Sequence, residues 1–165
     1  MSDSPSRENY FVFYGLQPAA DIDTALLKQK YLEMSRQFHP DYFAEDPQAQ
    51  TEAMEITAYN NKAFKTLSGK MDRLRYLVQI MGGADEHKAL DPEFLMEMMD
   101  LNERLDELGF SDDNDAMASQ LKTEIDAQHA AIVQTLESFV NAAQWGAAKD
   151  ELLKIAYLDR LKARL

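Results

Sequence analysis

No cysteine occurs among the 165 residues. That absence excludes disulfide scaffolds, thiolate zinc sites, cysteine nucleophiles and directly ligated iron–sulfur clusters, and it fits a reducing compartment. Positive charge is in deficit: Lys and Arg total 17 against 29 Asp and Glu, a formal net charge of −12. The overall field therefore repels phosphate backbones and anionic lipid surfaces, and neither nucleic acid nor a membrane is expected as a partner. No run approaches the roughly 18 apolar residues of a membrane span. Residues 1–9 set Asp3 and Glu8 against Arg7 and hold no apolar run, so neither a secretory signal nor an Arg-rich transit peptide is expected, and the expected compartment is cytoplasmic.

Glycine and proline are also scarce, at 6 and 5. They punctuate long segments of helical period instead of short alternating runs, which predicts an all-α chain. The 45% of residues that are apolar suffice for a packed core. Charge is unevenly placed: residues 1–78 carry 9 basic and 11 acidic side chains, residues 79–165 carry 8 and 18, net −2 against −10. Two domains with different partners are expected, 1–78 and 91–165, with 79–90 as the linker around Gly82-Gly83.

In the first half, the aromatic cluster Tyr10, Phe11, Phe13 and Tyr14 stops at Gly15, and Pro18 holds the chain out of helix until Asp21 or Asp23 can cap one. Leu27, Tyr31, Met34 and Phe38 then form an apolar stripe, with Lys28, Lys30 and Arg36 off it. Pro40 disfavours α conformation at the residue before it, so that helix is expected to end at His39. A second amphipathic helix is predicted from Pro47 to Leu67, its stripe of Ala53, Ile56, Ala63, Phe64 and Leu67 interrupted by Asn60, and a third from Met71 to Met81. In the second half Asp91 and Pro92 form a strong helix start, Gly109 a stop. A long helix over 112–143 follows, with Met117, Leu121, Ile125, Ile132, Leu136 and Phe139 near one face, and a last helix after Trp145-Gly146. Three helices on short links predict an antiparallel three-helix bundle.

Two constellations carry chemical information. His39-Pro40-Asp41 sits between two amphipathic helices, where Pro40 stiffens a corner, His39 offers one donor and one acceptor, and Asp41 offers a carboxylate. Taken as three residues alone, this is a helix stop with a capping Asp. An acid–base pair is disfavoured, because nothing nearby in sequence supplies a nucleophile or an oxyanion site. The second constellation is the segment 94–108. At about 100° per residue, Phe94, Met98, Leu101, Leu105 and Leu108 share one arc, whereas Leu95, Met96 and Met99 share another with Asp100, Glu103 and Glu107. An apolar patch flanked by carboxylates suits a protein-binding surface, and Met adapts to a partner. The alternative is that Leu95, Met96 and Met99 meet a neighbouring helix or the first domain while the acids are solvated.

The aromatic-rich short helix, the basic helix, His39-Pro40-Asp41 and the helix ending Asn61-Lys62-Ala63-Phe64-Lys65-Thr66-Leu67 resemble a J domain, the module that stimulates ATP hydrolysis by DnaK-type chaperones. The run from Phe94 to Leu108, with Arg73, Tyr76-Leu77 and Tyr157-Leu158-Asp159, resembles the HscB family, J-domain co-chaperones dedicated to iron–sulfur cluster assembly. The resemblance spans nearly the whole chain. It implies that His39, Pro40 and Asp41, helped by Lys28, Lys30 and Arg36, engage the chaperone HscA. It implies likewise that Leu95, Met96, Met99, Asp100, Glu103, Glu107 and Tyr157 face the cluster scaffold IscU. Departures from the family pattern are Tyr42 where a basic residue is common, Ser68-Gly69 in place of Asp-Pro, and Met99, Asp100 and Tyr157 in place of Leu, Glu and Phe. Tyr42 removes some electrostatic attraction to the chaperone; the others are conservative in shape or charge.

Remaining signals are weak. Asp126 and His129 lie three apart on a helix without the paired motifs of a di-iron bundle, so no metal site is expected. His87 is expected to be solvated and Trp145 to plug a core. The expectation is a non-catalytic adaptor without a cofactor, monomeric or weakly dimeric. A J-domain co-chaperone with another client and a helical interaction scaffold stand as the alternatives.

Overall fold

The structure is a computed structural model that describes residues 4–83, 90–108 and 114–165. Every regular element among them is helical: α1 Tyr10–Phe13, α2 Thr24–Gln37, a 3-10 turn Pro40–Phe43, α3 Pro47–Ser68, α4 Lys70–Met81, α5 Pro92–Leu108, α6 Asn114–Asn141 and α7 Trp145–Lys162. The chain divides into two compact units, Met1–Ile80 and Met81–Leu165. Residues 79–81, placed in the linker by sequence, continue α4. His87, Gly109 and Asp112 lie outside the described residues.

In the first unit, α1 is held at both ends by local chemistry. Asn9 caps it by accepting from the Val12 N–H at 3.0 Å. It ends in a Schellman turn, Gly15 N–H to Val12 O at 2.9 Å and Leu16 N–H to Phe11 O at 2.8 Å. Gly15 takes φ +60 there, a left-handed conformation open to glycine at little cost. Asp23, not Asp21, caps α2 by accepting from the Ala25 and Leu26 N–H groups. The hairpin of α2 and α3 is antiparallel: Tyr31 stacks on Phe64 with centroids 4.4 Å apart, and further along α2 the Phe38 carbonyl accepts from Thr57 Oγ1 at 3.2 Å. Phe11, Leu27, Ile56, Ala63, Leu67 and Leu74 are fully enclosed.

Two polar residues are buried in this core, and the first corrects the periodicity reading. Asn60 does not break the apolar stripe of α3; it is buried on it and fully engaged. Its Oδ1 accepts from the Tyr14 hydroxyl at 2.7 Å, and its Nδ2 donates to Tyr31 O at 3.1 Å and Ser35 Oγ at 3.0 Å. Burial pushes the Tyr14 hydroxyl far above its ordinary pKa, so it stays a neutral donor to Asn60. Arg73, also buried, donates through Nε to Ala20 O at 2.8 Å and through its guanidinium to Leu67 O, stapling α4 to the α1–α2 connection and to the end of α3. Tyr10 stacks on Tyr76 at 4.4 Å and meets Tyr59 edge-on at 5.2 Å, and burial lifts Tyr59 up to about 12.

The second unit is a three-helix bundle. Asp91 caps α5 by accepting from the Glu93 N–H at 3.1 Å. Phe94, Met98, Leu101 and Leu105 pack with Leu121 and Ile125 of α6 and with Leu158 and Leu161 of α7. Cross-helix pairs show that consecutive helices run antiparallel: Arg104 to Glu124, Asp126 to Lys162 and His129 to Asp159. The α6–α7 turn departs from expectation. It falls at Ala142–Gln144, a Schellman turn closed by Ala143 N–H to Val140 O and Gln144 N–H to Phe139 O, with Ala143 at φ +53. Gly146, expected in the turn, lies in the first turn of α7. Trp145 is only partly buried, a looser fit than a core plug.

Candidate partner-binding surfaces

The first surface is the corner between α2 and α3. The α-helix stops at Gln37, two residues before the sequence-based expectation, with Phe38 as its C-cap. His39 is not the last residue of α2. It caps the 3-10 turn that Pro40 begins, its Nδ1 accepting from the Asp41 N–H at 3.3 Å. An accepting Nδ1 places the neutral ring's proton on Nε2, so the imidazole offers a donor at its far edge. The Asp41 carboxylate is 85% exposed and lies 3.7 Å from His39 Nδ1. Tyr42, exposed, tilts against the imidazole with centroids 5.7 Å apart. Asp46 then caps α3, accepting from the Gln48 and Ala49 N–H groups. Caps on both sides, with Phe38 buried, hold an exposed donor and an exposed carboxylate on a stiff corner.

Lys28 and Arg36 are exposed on α2, whereas Lys30 is partly covered, its Nζ lying on the Gly15 side of the helix. At about 100° per residue, Lys28 and Arg36 are separated by about 80° and Lys30 stands more than about 110° from either. The helix thus brings Lys28 and Arg36 toward one face and sets Lys30 apart.

The second surface is the outer face of α5. Phe94, Met98, Leu101 and Leu105 are buried, while Leu95 is 37% exposed, Met96 72% and Met99 63%. The alternative in which these three meet a neighbouring helix does not hold within this unit. Asp100, Glu103 and Glu107 are exposed beside them. Asp100 pairs with Arg104 at 3.5 Å, and Arg104 also forks onto Glu124 of α6 at 3.0 and 2.6 Å. That hydrogen-bonded pairing holds the Glu124 carboxyl below its ordinary pKa and ties the acidic side of α5 to α6. Tyr157 of α7 is 39% exposed, lies edge-on to Phe94 at 6.4 Å, and carries Arg160 over its ring at 5.5 Å. The bundle therefore sets one tyrosine from α7 beside the start of the α5 stripe.

Sequence reasoning missed Lys154. It pairs with buried Glu151 at 2.7 Å, lies over Phe94 at 5.8 Å, and borders a cleft of about 370 Å³ with Glu97, Gln128 and Ile132. No periodic signal marks it, because its partners come from three helices. Among the described residues no group of three or more His, Asp or Glu is placed to hold a metal ion. Asp126 and His129 are engaged with Lys162 and Asp159. Nor is any described helix long and apolar enough to cross a membrane.

A helical hairpin with an exposed His-Pro-Asp corner and, on the same chain, a three-helix unit with its own exposed stripe make up the fold of a J domain followed by a C-terminal bundle. Residues 90–165 match the family described as the HSCB C-terminal oligomerisation domain. Over 94% of its length, and 93% of the other chain, the protein is similar to chaperone HscB from Vibrio cholerae, at 29% identity and a TM-score of 0.73. It shares the fold of the human co-chaperone protein HscB at 23% identity and a TM-score of 0.79, over 99% of this chain and 82% of that one. The second unit thus matches the C-terminal domain of the HscB family, and nearly the whole chain is similar to an HscB chaperone.

Proposed function

We propose that the protein is a cytoplasmic adaptor without catalysis of its own, which stimulates the ATPase of the DnaK-type chaperone HscA and delivers the scaffold IscU to it. The observation that carries this reading is the exposure of two unlike surfaces in separate units: the capped corner with its Asp41 carboxylate, and the stripe of Leu95, Met96 and Met99. On this reading His39, Pro40 and Asp41 dock on the chaperone. Lys28 and Arg36 supply the positive flank, with Lys30 contributing from further round α2. Leu95, Met96, Met99 and Tyr157 form the apolar centre for the scaffold, and Asp100, Glu103 and Glu107 its acidic rim, an arrangement of apolar core and polar border common to protein interfaces. Holding both contacts on one chain raises the local concentration of client at the chaperone, a gain that reaches about 10² to 10⁴-fold when both bind at once.

The test is a steady-state ATPase assay with purified HscA. Wild-type protein should raise turnover, and Asp41→Asn should abolish the rise. Because the carboxylate is 85% exposed and lies 3.7 Å from His39 Nδ1, the substitution should change stability by less than about 0.5 kcal/mol. Stimulation that survives Asp41→Asn in a folded protein refutes the chaperone-docking role of the corner.

A further inference from the structure

Oxidant chemistry in this chain falls to thioether sulfur, since 9 methionines and no cysteine are present. Susceptibility of a thioether follows its exposure. Three methionines within four consecutive positions of α5 differ sharply in this respect: Met96 is 72% exposed and Met99 63%, while Met98 between them is 4% exposed and packed in the bundle core. An oxidant can therefore reach the outer face of α5 while the core sulfur beneath it is shielded. Met96 and Met99 are three apart on the helix and share the exposed stripe with Leu95, so both modifications fall on one surface.

We propose that Met96 and Met99 are sulfoxidation sites through which hydrogen peroxide loosens the grip of α5 on its client; this rests on the scaffold-binding reading given above. In the step, the thioether sulfur attacks one peroxide oxygen and the O–O bond breaks. The sulfur gains that oxygen and is oxidised by two electrons to the sulfoxide, while the departing hydroxide takes up the remaining proton as water. An apolar, flexible side chain thereby becomes a polar one with a partial negative charge on oxygen. Seating that oxygen at the apolar centre of an interface strips it of water without supplying a donor. On its own helix it stands beside the carboxylates of Asp100 and Glu103, which add repulsion and no hydrogen-bond donor. Methionine sulfoxide reductases reverse the modification, so the loss of grip is reversible. The buried sulfur of Met98 escapes, which leaves the bundle folded while the surface changes.

The experiment treats the full chain with hydrogen peroxide, maps sulfoxide by peptide mass spectrometry, and measures binding to purified IscU before and after. Met96 and Met99 should oxidise at least about tenfold faster than Met98, and affinity for the scaffold should fall by about tenfold or more and return after reductase treatment. A Met96→Leu, Met99→Leu double variant retains exposed Met54, Met81 and Met117. Whatever its starting affinity, its ratio before and after peroxide should stay within about twofold. Equal oxidation of Met98, an affinity in oxidised wild type that does not move, or an equal fall in the double variant each overturns the proposal. An untreated chain that does not bind the scaffold instead refutes the reading beneath it, and the coupling falls with that reading.

Discussion

Asn60 and Asn61 are adjacent amides in α3 with opposite surroundings, and removing each in turn measures what holds the hairpin beneath the His-Pro-Asp corner. Asn60 is 1% exposed and makes three side-chain hydrogen bonds, to the Tyr14 hydroxyl, Tyr31 O and Ser35 Oγ. In Asn60→Ala all three are lost, but the damage is bounded. The Tyr14 hydroxyl keeps the Asn60 main-chain carbonyl at 2.9 Å, and Ser35 Oγ keeps Tyr31 O at 2.8 Å. With about 0.5–1.5 kcal/mol for each bond and a small cavity left by the amide, the expected loss is about 2–3 kcal/mol. For a unit of this size that lowers the melting temperature by roughly 10 to 20 °C. Asn61→Ala removes one exposed bond from the Tyr31 hydroxyl, 3.0 Å long, and should cost less than about 0.5 kcal/mol. Near-UV circular dichroism of tyrosine reports the change, since of the 7 tyrosines only Tyr157 lies outside the first unit. Equal shifts in the two variants would refute the argument that burial, and not the amide itself, sets the contribution.

Other expectations follow the same logic. On α5, Leu95 and Met99 expose 37% and 63% of their surface, together about one full side chain left to bury; Leu95→Ala with Met99→Ala should weaken IscU binding by about 1.5–3 kcal/mol, roughly 10- to 150-fold in isothermal titration. Unchanged affinity would remove this face from the interface. The Glu124 carboxyl is held low chiefly by its hydrogen bonds with Arg104, so its contribution is present above the ordinary carboxylate pKa and is lost as pH falls through the depressed one. Urea midpoints followed by the fluorescence of Trp145 should therefore fall less between about pH 6 and about pH 3 in Arg104→Gln than in wild type; parallel slopes would refute the pairing. Ala143 holds φ +53 at the end of α6, so Ala143→Gly should stabilise the bundle by about 0.5–1 kcal/mol, the relief of left-handed strain exceeding the added chain entropy. A lower midpoint in that variant would show the turn is not strained.

The sequence by itself determined what depends on neighbours in the chain. Pro40, Pro47 and Pro92 mark where helices begin or end because ring geometry acts within a residue or two, and the two arcs of α5 follow from helical spacing alone. The His-Pro-Asp corner and the Leu-Met stripe were legible for the same reason. Local signals had limits even there: the stop of α2 moved back to Gln37 once His39 became a cap, and the last turn formed on Ala143 while a glycine stood three residues on. Only the tertiary structure decided which side of Asn60 faced inward, because its partners are the C-cap of α1 and residues of α2. Lys30 stands apart from Lys28 and Arg36 beside a glycine of the α1 turn, and Tyr157 reaches the α5 face because α7 lies along it. These are contacts between residues distant in sequence, set by how apolar faces bury one another; a periodic pattern shows that a face will be buried but not what it will meet.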